Sequence, residues 1–213
     1  MSPMRFVLAS NNPNKLREFA GILSPHEVAP MPDGIVLPPE GVTSFVENAL
    51  VKARALARAC AAGAPPGTLF IADDSGLEVE ALGWAPGVRS SRHAGPEASD
   101  ADNTTKLLAQ LAGRDGAERR ARFVCVVAAV TPALREYVAT GEWWGAIAHS
   151  PRGDGGFGYD PVFVPEGSDL TVAQWPQALK DQASHRALAG RALLRVLQQE
   201  EVLDRPQRRT DAR

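Results

Sequence analysis

Apolar positions along this chain occur both in short runs and at helical spacing, which predicts interleaved strands and helices. Residues 5–9 form a short apolar run and predict a first strand. After a polar break, Leu16, Phe19 and Leu23 recur three to four residues apart, which indicates an amphipathic helix. Residues 44–62 repeat this spacing and predict a second helix.

The remainder of the chain continues this alternation. Residues 24–40 contain five prolines and predict an irregular connection. Asp102 follows Ser99 by three residues, which predicts a capped helix start. The interleaving of the two element types predicts an α/β fold. The further predicted elements are strands at 69–72, 122–130, 136–144 and 162–164, and helices at 99–111 and 182–199.

Composition places the chain among ordinary globular proteins. Its 213 residues are 44% hydrophobic and 23% charged. This length fits one domain at 1–203, and the polar residues 204–213 predict a disordered tail. The net charge of −2 argues against a nucleic-acid partner that is recognised through overall positive charge.

The lengths of the apolar runs and the positions of the cysteines indicate the cellular compartment of the protein. No run approaches the ~18 apolar residues that span a membrane, and the N-terminal run is too short for a signal peptide. Cys60 and Cys125 lie in predicted helix and strand, where we expect reduced core thiols. We therefore expect a cytoplasmic protein with no membrane partner.

The densest motif is the glycine-rich segment at 152–161. Its glycines permit positive φ angles and close approach of backbone to a ligand. Phe157 offers a ring face, and Tyr159 offers a hydroxyl. The segment predicts a wall for a planar heterocycle, and a plain hairpin loop is the alternative. Its four glycines are Gly153, Gly155, Gly156 and Gly158.

A polar cluster follows the first predicted strand. A helix that begins after a strand presents N–H groups and a positive dipole end, which favour a phosphate. Lys15 adds a positive charge. Helix capping is the alternative explanation. The cluster is Ser10, Asn11, Asn12, Pro13, Asn14 and Lys15.

Asp73 and Asp74 follow the run at 69–72. We expect the strand to end there, with residues 77–81 as a candidate for its resumption. Adjacent side chains on extended backbone point in opposite directions, so one carboxylate can face a cleft. Such a carboxylate suits Mg²⁺ or the activation of water. An Asx-type turn is the alternative. Glu40, at the end of the proline-rich connection, is a weaker candidate metal ligand.

A third cluster lies at the start of the last predicted helix. Lys180, His185 and Arg186 fall within seven residues and favour an anion or an acceptor-rich ring. A solvated helix start is the alternative. Glu47 and Lys52 lie on the second predicted helix, where we expect charged side chains to face solvent.

Several motifs in this order resemble one family over residues 5–198. The chain is similar to the dITP/XTP diphosphatases, the inosine triphosphate pyrophosphatase-like enzymes. The matching segments are Ser10-Asn11-Asn12-Pro13-Asn14-Lys15, Phe45-Val46-Glu47-Asn48-Ala49, Ala72-Asp73-Asp74-Ser75-Gly76-Leu77, Pro86-Gly87-Val88-Arg89-Ser90, Ala121-Arg122-Phe123, Gly155-Gly156-Phe157-Gly158-Tyr159-Asp160-Pro161 and Ser184-His185-Arg186.

The resemblance implies Mg²⁺-dependent hydrolysis of deaminated purine nucleoside triphosphates to monophosphate and pyrophosphate. It implies an α/β fold of two lobes around a central cleft, with an elongated mixed β-sheet flanked by helices, in a homodimer. By position, residues 10–15 would hold phosphates, and Asp74 would bind Mg²⁺ and act as the base. The other implied substrate contacts are Ser75, Phe157, Gly158, Tyr159, Asp160, Lys180, His185 and Arg186.

Two other functions compete with this one. A pyrophosphatase for other modified nucleotides would use the same carboxylate and cations. A non-catalytic nucleotide-binding protein would use the same cleft without hydrolysis. Release of pyrophosphate separates these possibilities.

Overall fold

Six strands form one mixed sheet in the computed structural model, which describes residues 4–204, with side chains through Glu200. The strands are β1 (Arg5–Leu8), β2 (Glu27–Pro30), β3 (Thr68–Val79), β4 (Arg120–Val130), β5 (Glu136–Ile147) and β6 (Phe163–Pro165). Their order across the sheet is β2-β1-β3-β4-β5-β6. The strand β1 runs parallel to β2 and β3, and the remaining pairs are antiparallel.

The helices are α1 (Pro13–Ile22), α2 (Phe45–Cys60), α3 (Asp100–Gln110), α4 (Gln177–Ala183) and α5 (His185–Asp204). Three of them, α1, α2 and α5, cover the two faces of the half of the sheet that contains β1. One buried cluster joins Phe19 of α1 and Leu193 of α5 to Ile71 of β3. A second cluster joins Leu56 of α2 to Phe70 on the opposite face. The alternation of side chains along β3 therefore assigns α1 and α5 to one face and α2 to the other. The predicted α/β class is confirmed.

A third buried cluster lies at the far end of the long strands. It joins Leu77 of β3 and Phe123 of β4 to Leu107 of α3 and Phe163 of β6. Residues 73–76 lie between this cluster and the other two. The sheet is thus elongated, with packed layers on either side of a central cleft. The single domain at 1–203 stays a prediction, and the predicted tail lies outside the described residues apart from the backbone of Asp204.

Two predictions about strands were wrong. The connection at 24–40 contains β2, an edge strand that pairs in parallel with β1 and carries no continuous apolar run. The strand predicted at 69–72 does not end at Asp73, and the alternative of an Asx-type turn fails with it. Instead, Asp73 and Asp74 pair with Val127 and Val126 of β4, because the antiparallel ladder runs through them.

Helix capping explains where the helices agree with prediction and where they differ. Ser44 and Ser99 accept N–H bonds from the first turns of α2 and α3, and the predicted capping box at Ser99 is present. The helix predicted at 182–199 is divided at Ser184, which has extended backbone angles. The Ser184 hydroxyl accepts the Ala187 N–H at 3.2 Å, so the serine begins α5.

Two further features concern the cysteines and the helices. Cys60 and Cys125 are free thiols, and Cys125 is buried. Within residues 4–204, no helix has both the length and the apolar composition needed to cross a membrane.

Candidate active site

A cavity of about 490 Å³ opens where β1 and the middle of β3 meet the starts of α1 and α5. It brings together all the predicted site residues except Pro13, which lies in the first turn of α1 outside the lining. The predicted residues in its wall are Ser10, Asn11, Asn12, Asn14, Lys15, Glu40, Asp74, Ser75, Phe157, Gly158, Tyr159, Asp160, Lys180, His185 and Arg186.

The loop after β1 is both a helix cap and part of the cavity wall. Asn12 Oδ1 accepts the N–H groups of Asn14 and Lys15 at 2.9 and 3.4 Å. Ser10 Oγ accepts the Asn12 N–H at 3.1 Å. These backbone donors are therefore used within the protein. The amino group of Lys15 reaches Asp73 Oδ1 at 2.9 Å and supplies positive charge to the cavity.

Asp73 is a buried, ion-paired carboxylate. Its two oxygens accept bonds from Lys15 Nζ at 2.9 Å and Arg186 Nε at 3.3 Å. Burial opposes ionisation, but the cations of Lys15, Arg186 and Lys52 outweigh it and hold the pKa of Asp73 well below its usual range. Asp73 is thus a fixed negative charge that organises cations, and its low pKa makes it a poor base.

Asp74 lies on the other face of β3 in a different environment. Its Oδ2 accepts a bond from Asn48 Nδ2 at 2.8 Å, and its Oδ1 accepts the Ser75 N–H at 3.1 Å. Burial raises the pKa of Asp74 to about 6, against the opposing effects of Lys52 and Asn48. A carboxylate with such a pKa is suited to accept a proton near neutral pH.

Two residues of α2 that sequence reasoning missed support these aspartates. Lys52 was predicted to face solvent, and that prediction was wrong. The buried Lys52 Nζ donates to the Asp73 carbonyl at 2.7 Å and to Glu40 Oε1 at 2.6 Å. Asn48 is also buried. Helical spacing could have predicted their burial, because both lie three or four residues from apolar neighbours on the inward face of α2.

Charges on Lys52 and Glu40 are mutually stabilised. Burial works against the ammonium, but the carboxylates of Asp73 and Glu40 raise the pKa of Lys52. Burial also works against the Glu40 carboxylate, and Lys52 lowers the pKa of Glu40 below its usual value. Glu47, on the outer face of α2, is exposed as predicted.

The donor set fits a hard cation that retains other ligands. Asp74 and Glu40 contribute carboxylate oxygens to the same cavity wall. Among residues 4–204, no group of three or more His, Cys, Asp or Glu side chains forms a complete metal site. Mg²⁺ often binds through one or two carboxylates, water and substrate phosphates, so two carboxylates are compatible with this ion.

The third predicted cluster is buried, and the alternative of a solvated helix start is wrong. Arg186 is 1% exposed and pairs through its guanidinium with Glu18 Oε2. Arg186 also donates to Ser75 Oγ at 3.2 Å. Lys180 Nζ donates to Asp160 Oδ2 at 2.6 Å and lies 3.3 Å from Glu18 Oε1. Glu18, a further residue that sequence reasoning missed, joins both cations from α1.

His185 is a neutral, buried member of this cluster. Its ring stacks on Phe123 with centroids 4.6 Å apart and planes 11° apart. Burial, reinforced by Arg186 and Lys180, lowers the pKa of His185 well below its usual value. Its Nδ1 is buried without a hydrogen-bond partner among the described residues.

The glycine-rich segment lies in the loop between β5 and β6, as the hairpin alternative required, and also lines the cavity. Gly156 has a φ of +73°, and a Cβ there would collide with Asp160 Oδ2. The Phe157 N–H donates to the same oxygen at 2.9 Å. The Gly158 N–H donates to Asp100 Oδ2 at 2.7 Å. These N–H groups form hydrogen bonds within the protein, so they are not available to donate to a nucleobase.

Two aromatic side chains of this segment have different surroundings. Phe157 has Lys180 Nζ 4.3 Å from its ring centroid. The Tyr159 hydroxyl donates to the Ser90 carbonyl at 2.8 Å, and the side chain is buried. Tyr159 therefore anchors the loop across the cleft, while Phe157 contributes ring surface to the wall.

The sheet and cavity together define an α/β protein with a cleft lined by cations and carboxylates, an arrangement suited to phosphorylated ligands that bind with a metal ion. The chain belongs to the Ham1 family, whose model matches residues 6–196. This membership confirms the resemblance expected from the sequence motifs.

Individual relatives cover nearly the whole chain. The dITP/XTP pyrophosphatase of Methylococcus capsulatus is 47% identical over 194 residues, which cover 89% of this chain and 94% of that protein. The dITP/XTP pyrophosphatase of Mycobacterium bovis is 48% identical over 204 residues, which cover 91% of this chain and 93% of that protein.

Solved structures show the same architecture. The Ham1 protein of Staphylococcus aureus matches with a TM-score of 0.77 and 39% identity over 92% of this chain and 99% of that chain. The dITP/XTP pyrophosphatase of Mycobacterium abscessus matches with a TM-score of 0.69 and 43% identity over 91% of this chain and 99% of that chain. The expected mixed sheet flanked by helices is therefore shared with these structures.

Proposed function

We propose that this chain hydrolyses deaminated purine nucleoside triphosphates (dITP, ITP, XTP and dXTP) to the monophosphate and pyrophosphate, and so removes them from the nucleotide pool. The observation that carries the proposal is one cavity whose wall contains both Asp74, with its raised pKa, and four cationic side chains. Two relatives, at 47% and 48% identity, are named dITP/XTP pyrophosphatases, and these names indicate the reaction and the purine of the substrate. The four cations are Lys15, Lys52, Lys180 and Arg186.

The cations suit a polyphosphate. A nucleoside triphosphate carries about four negative charges at neutral pH, so its hydrolysis requires positive charge around the phosphates. Each of the four cations is paired with a carboxylate of the protein, which holds it in position before substrate arrives. We infer that Lys15 approaches the phosphates most directly, because its side chain is 19% exposed and those of Lys180 and Arg186 are 4% and 1% exposed.

Mg²⁺ is the proposed cofactor, held by Asp74 and, more weakly, by Glu40. When bound, the ion would neutralise phosphate charge and polarise the bond to be cleaved. The side chain of Asp74 then has a second task, which is to accept a proton from the attacking water at one of its oxygens. Neither cysteine lines the cavity, so the proposed reaction uses no thiol nucleophile.

Base selection is proposed to depend on hydrogen bonds in the deep part of the cavity. Hypoxanthine and xanthine present an oxygen at position 6 and an N–H at position 1, whereas adenine presents an amino group and a bare nitrogen. A buried site that matches the first pattern rejects the second, because polar groups would be left unpaired, an effect that reaches about 10⁴-fold. The side chains of His185 and Phe157 line this cavity and are the groups that we assign to this task.

One experiment tests the proposal. Purified protein with Mg²⁺ is incubated with dITP, ITP, XTP, dATP, dGTP and modified pyrimidine triphosphates, and the products are separated by chromatography. We expect pyrophosphate and monophosphate from the first three nucleotides. Phosphate as the initial product would refute the reaction, preference for a pyrimidine would refute the substrate class, and no product from any nucleotide would indicate a binding protein.

We also propose that the protein is a cytoplasmic homodimer, as the family resemblance implies. Light scattering after size-exclusion chromatography tests the dimer, for which we expect twice the chain mass of 22.7 kDa. Elution at the mass of one chain over a wide concentration range would contradict it.

A further inference from the structure

One face of α2 follows the central segment of β3 residue by residue. Phe45 lies so close to Gly76 that a Cβ on the glycine would approach its ring to 3.0 Å. Asn48 contacts Asp74, and Lys52 contacts the Asp73 carbonyl. The spacing of three and then four residues is that of one helix face, so α2 is aligned with the carboxylate-bearing part of the strand.

Asn48 uses both ends of its amide. The Gly41 N–H donates to Asn48 Oδ1 at 2.7 Å. Asn48 Nδ2 donates to Asp74 Oδ2 at 2.8 Å and to the Gly41 carbonyl at 3.3 Å. This network sets the orientation of the amide, because a flipped side chain would place its oxygen against a carboxylate and its NH₂ group against an N–H donor.

The contacts of Asn48 connect the two candidate metal ligands. Gly41 directly follows Glu40, and Arg92 holds the same loop from the other side through the Gly41 carbonyl at 3.0 Å. The side chain of Asn48 is buried and does not line the cavity, so it lies behind Asp74 and acts on a ligand only through its neighbours.

We propose that Asn48 is a positioning residue that sets the orientation of the Asp74 carboxylate and the distance between Asp74 and the Glu40 loop, and thereby prepares the site for a divalent cation. This role rests on the proposed function of the same site. Partners that orient ligating carboxylates affect metal affinity or activity by about 10–100-fold. Lys15 and Arg186, which we propose as phosphate contacts, pair with Asp73 on the opposite face of the sheet, whereas the amide of Asn48 bonds to Asp74 and Gly41.

The test compares Asn48→Leu with a matched variant, Asn103→Leu. Asn103 is equally buried, at 2% exposure, and its amide also holds a loop. It accepts the Ala94 N–H at 2.8 Å and donates to the Ser91 carbonyl at 3.1 Å. Both variants lose two contacts to backbone, but only Asn48→Leu loses a contact to a candidate ligand.

Two measurements are made on each full-length variant. Mn²⁺ binding without nucleotide is measured by electron paramagnetic resonance, since Mn²⁺ accepts the same oxygen ligands as Mg²⁺. The kcat and KM for dITP are measured with saturating Mg²⁺. We expect Asn48→Leu to weaken Mn²⁺ binding and to lower kcat, each about 10–100-fold, with KM for dITP changed less than about threefold. We expect Asn103→Leu to lower the Tm with Mn²⁺ affinity unchanged.

Specific outcomes overturn the proposal. If Asn48→Leu binds Mn²⁺ like the wild type, or if both variants lose Mn²⁺ affinity equally, Asn48 has no specific positioning role. Asn48→Ala is used if the leucine variant does not fold. A wild type that releases no pyrophosphate, together with weakened Mn²⁺ binding in the variant, would reject the proposed function and retain the positioning role.

Discussion

Asp73 and Asp74 are consecutive residues of β3 whose carboxylates lie on opposite faces of the sheet and have pKa values shifted in opposite directions. Asp73 pairs with Lys15 and Arg186, and its pKa is lowered. Asp74 has an amide donor from Asn48, and burial raises its pKa to about 6. Two identical side chains are thereby given different tasks, one structural and one suited to proton transfer.

The substitution Asp74→Asn tests the second task. Asparagine has nearly the same shape but cannot act as a base, so we expect kcat for dITP to fall at least ~10²-fold. The fold should persist, because removal of a buried charge with a raised pKa does not break an ion pair. Pyrophosphate release and circular dichroism measure the two effects. Near-normal hydrolysis of dITP would exclude Asp74 as the base.

The neighbouring change Asp73→Asn should act on stability instead. Lys15 and Arg186 would lose their shared carboxylate, and breaking a buried ion pair costs about 3–5 kcal/mol. We expect the free energy of unfolding in urea to fall by about 3 kcal/mol. A variant as stable as the wild type would show that Asp73 is not needed to hold these cations.

Lys15→Ala should mainly weaken binding of the triphosphate. The lysine has the most exposed side chain of the four cavity cations, and its loss would remove a proposed contact to phosphate. We expect KM for dITP to rise about tenfold, as loss of a charge-assisted hydrogen bond of about 1.4 kcal/mol predicts. Lys106→Ala, a change in an exposed lysine outside the cavity, is the control and should leave KM unchanged. Equal KM values for Lys15→Ala and the wild type would contradict the assignment.

Gly156→Ala should disrupt the glycine-rich loop. The added Cβ would meet Asp160 Oδ2, which also accepts bonds from Lys180 and the Phe157 N–H. Gly34→Ala is the control, since Gly34 has a φ of +82° but no atom near its Cβ position. We expect the control to lose about 1–2 kcal/mol from backbone strain alone, and Gly156→Ala to lose more and to raise KM for dITP. Equal losses in the two variants would argue against tight packing at Gly156.

The burial of His185 should make the stability of the protein depend on pH. Burial, with Arg186 and Lys180 nearby, depresses the pKa of His185 in the folded state, so the unfolded chain binds the proton more readily. Its contribution to stability is therefore complete above the unfolded pKa of about 6.5 and is lost as pH falls below it, by about 1.4 kcal/mol per pH unit. Urea unfolding between pH 5 and 8 measures this slope.

Two histidine variants isolate this contribution. His185→Gln should reduce the slope below pH 6.5 by the contribution of one proton. His149→Gln, at a histidine whose side chain is 70% exposed, should retain the wild-type slope. If His185→Gln and the wild type lose stability in parallel, His185 is not a buried neutral group.

Much of the architecture follows from local patterns. The spacing of Leu16, Phe19 and Leu23 predicts α1, and Ser99 with Asp102 predicts the start of α3. The edge strand β2 was not predicted from the sequence, because it is half-exposed and has only four residues. The continuation of β3 through Asp73 was not predicted either. Its polar residues are locally typical of a turn, but pairing with β4 keeps them extended.

By itself, the sequence determined the α/β class, the family and fifteen of the residues that line the cavity, because periodicity, caps and motif order are local properties of the chain. Only the tertiary structure decided which charges are buried and paired. Lys52 was expected to face solvent, and a solvated helix start was the alternative for Arg186, yet both are buried against carboxylates from distant strands and loops. A pKa depends on burial and on charges a few ångströms away, and those neighbours are fixed only when the chain folds.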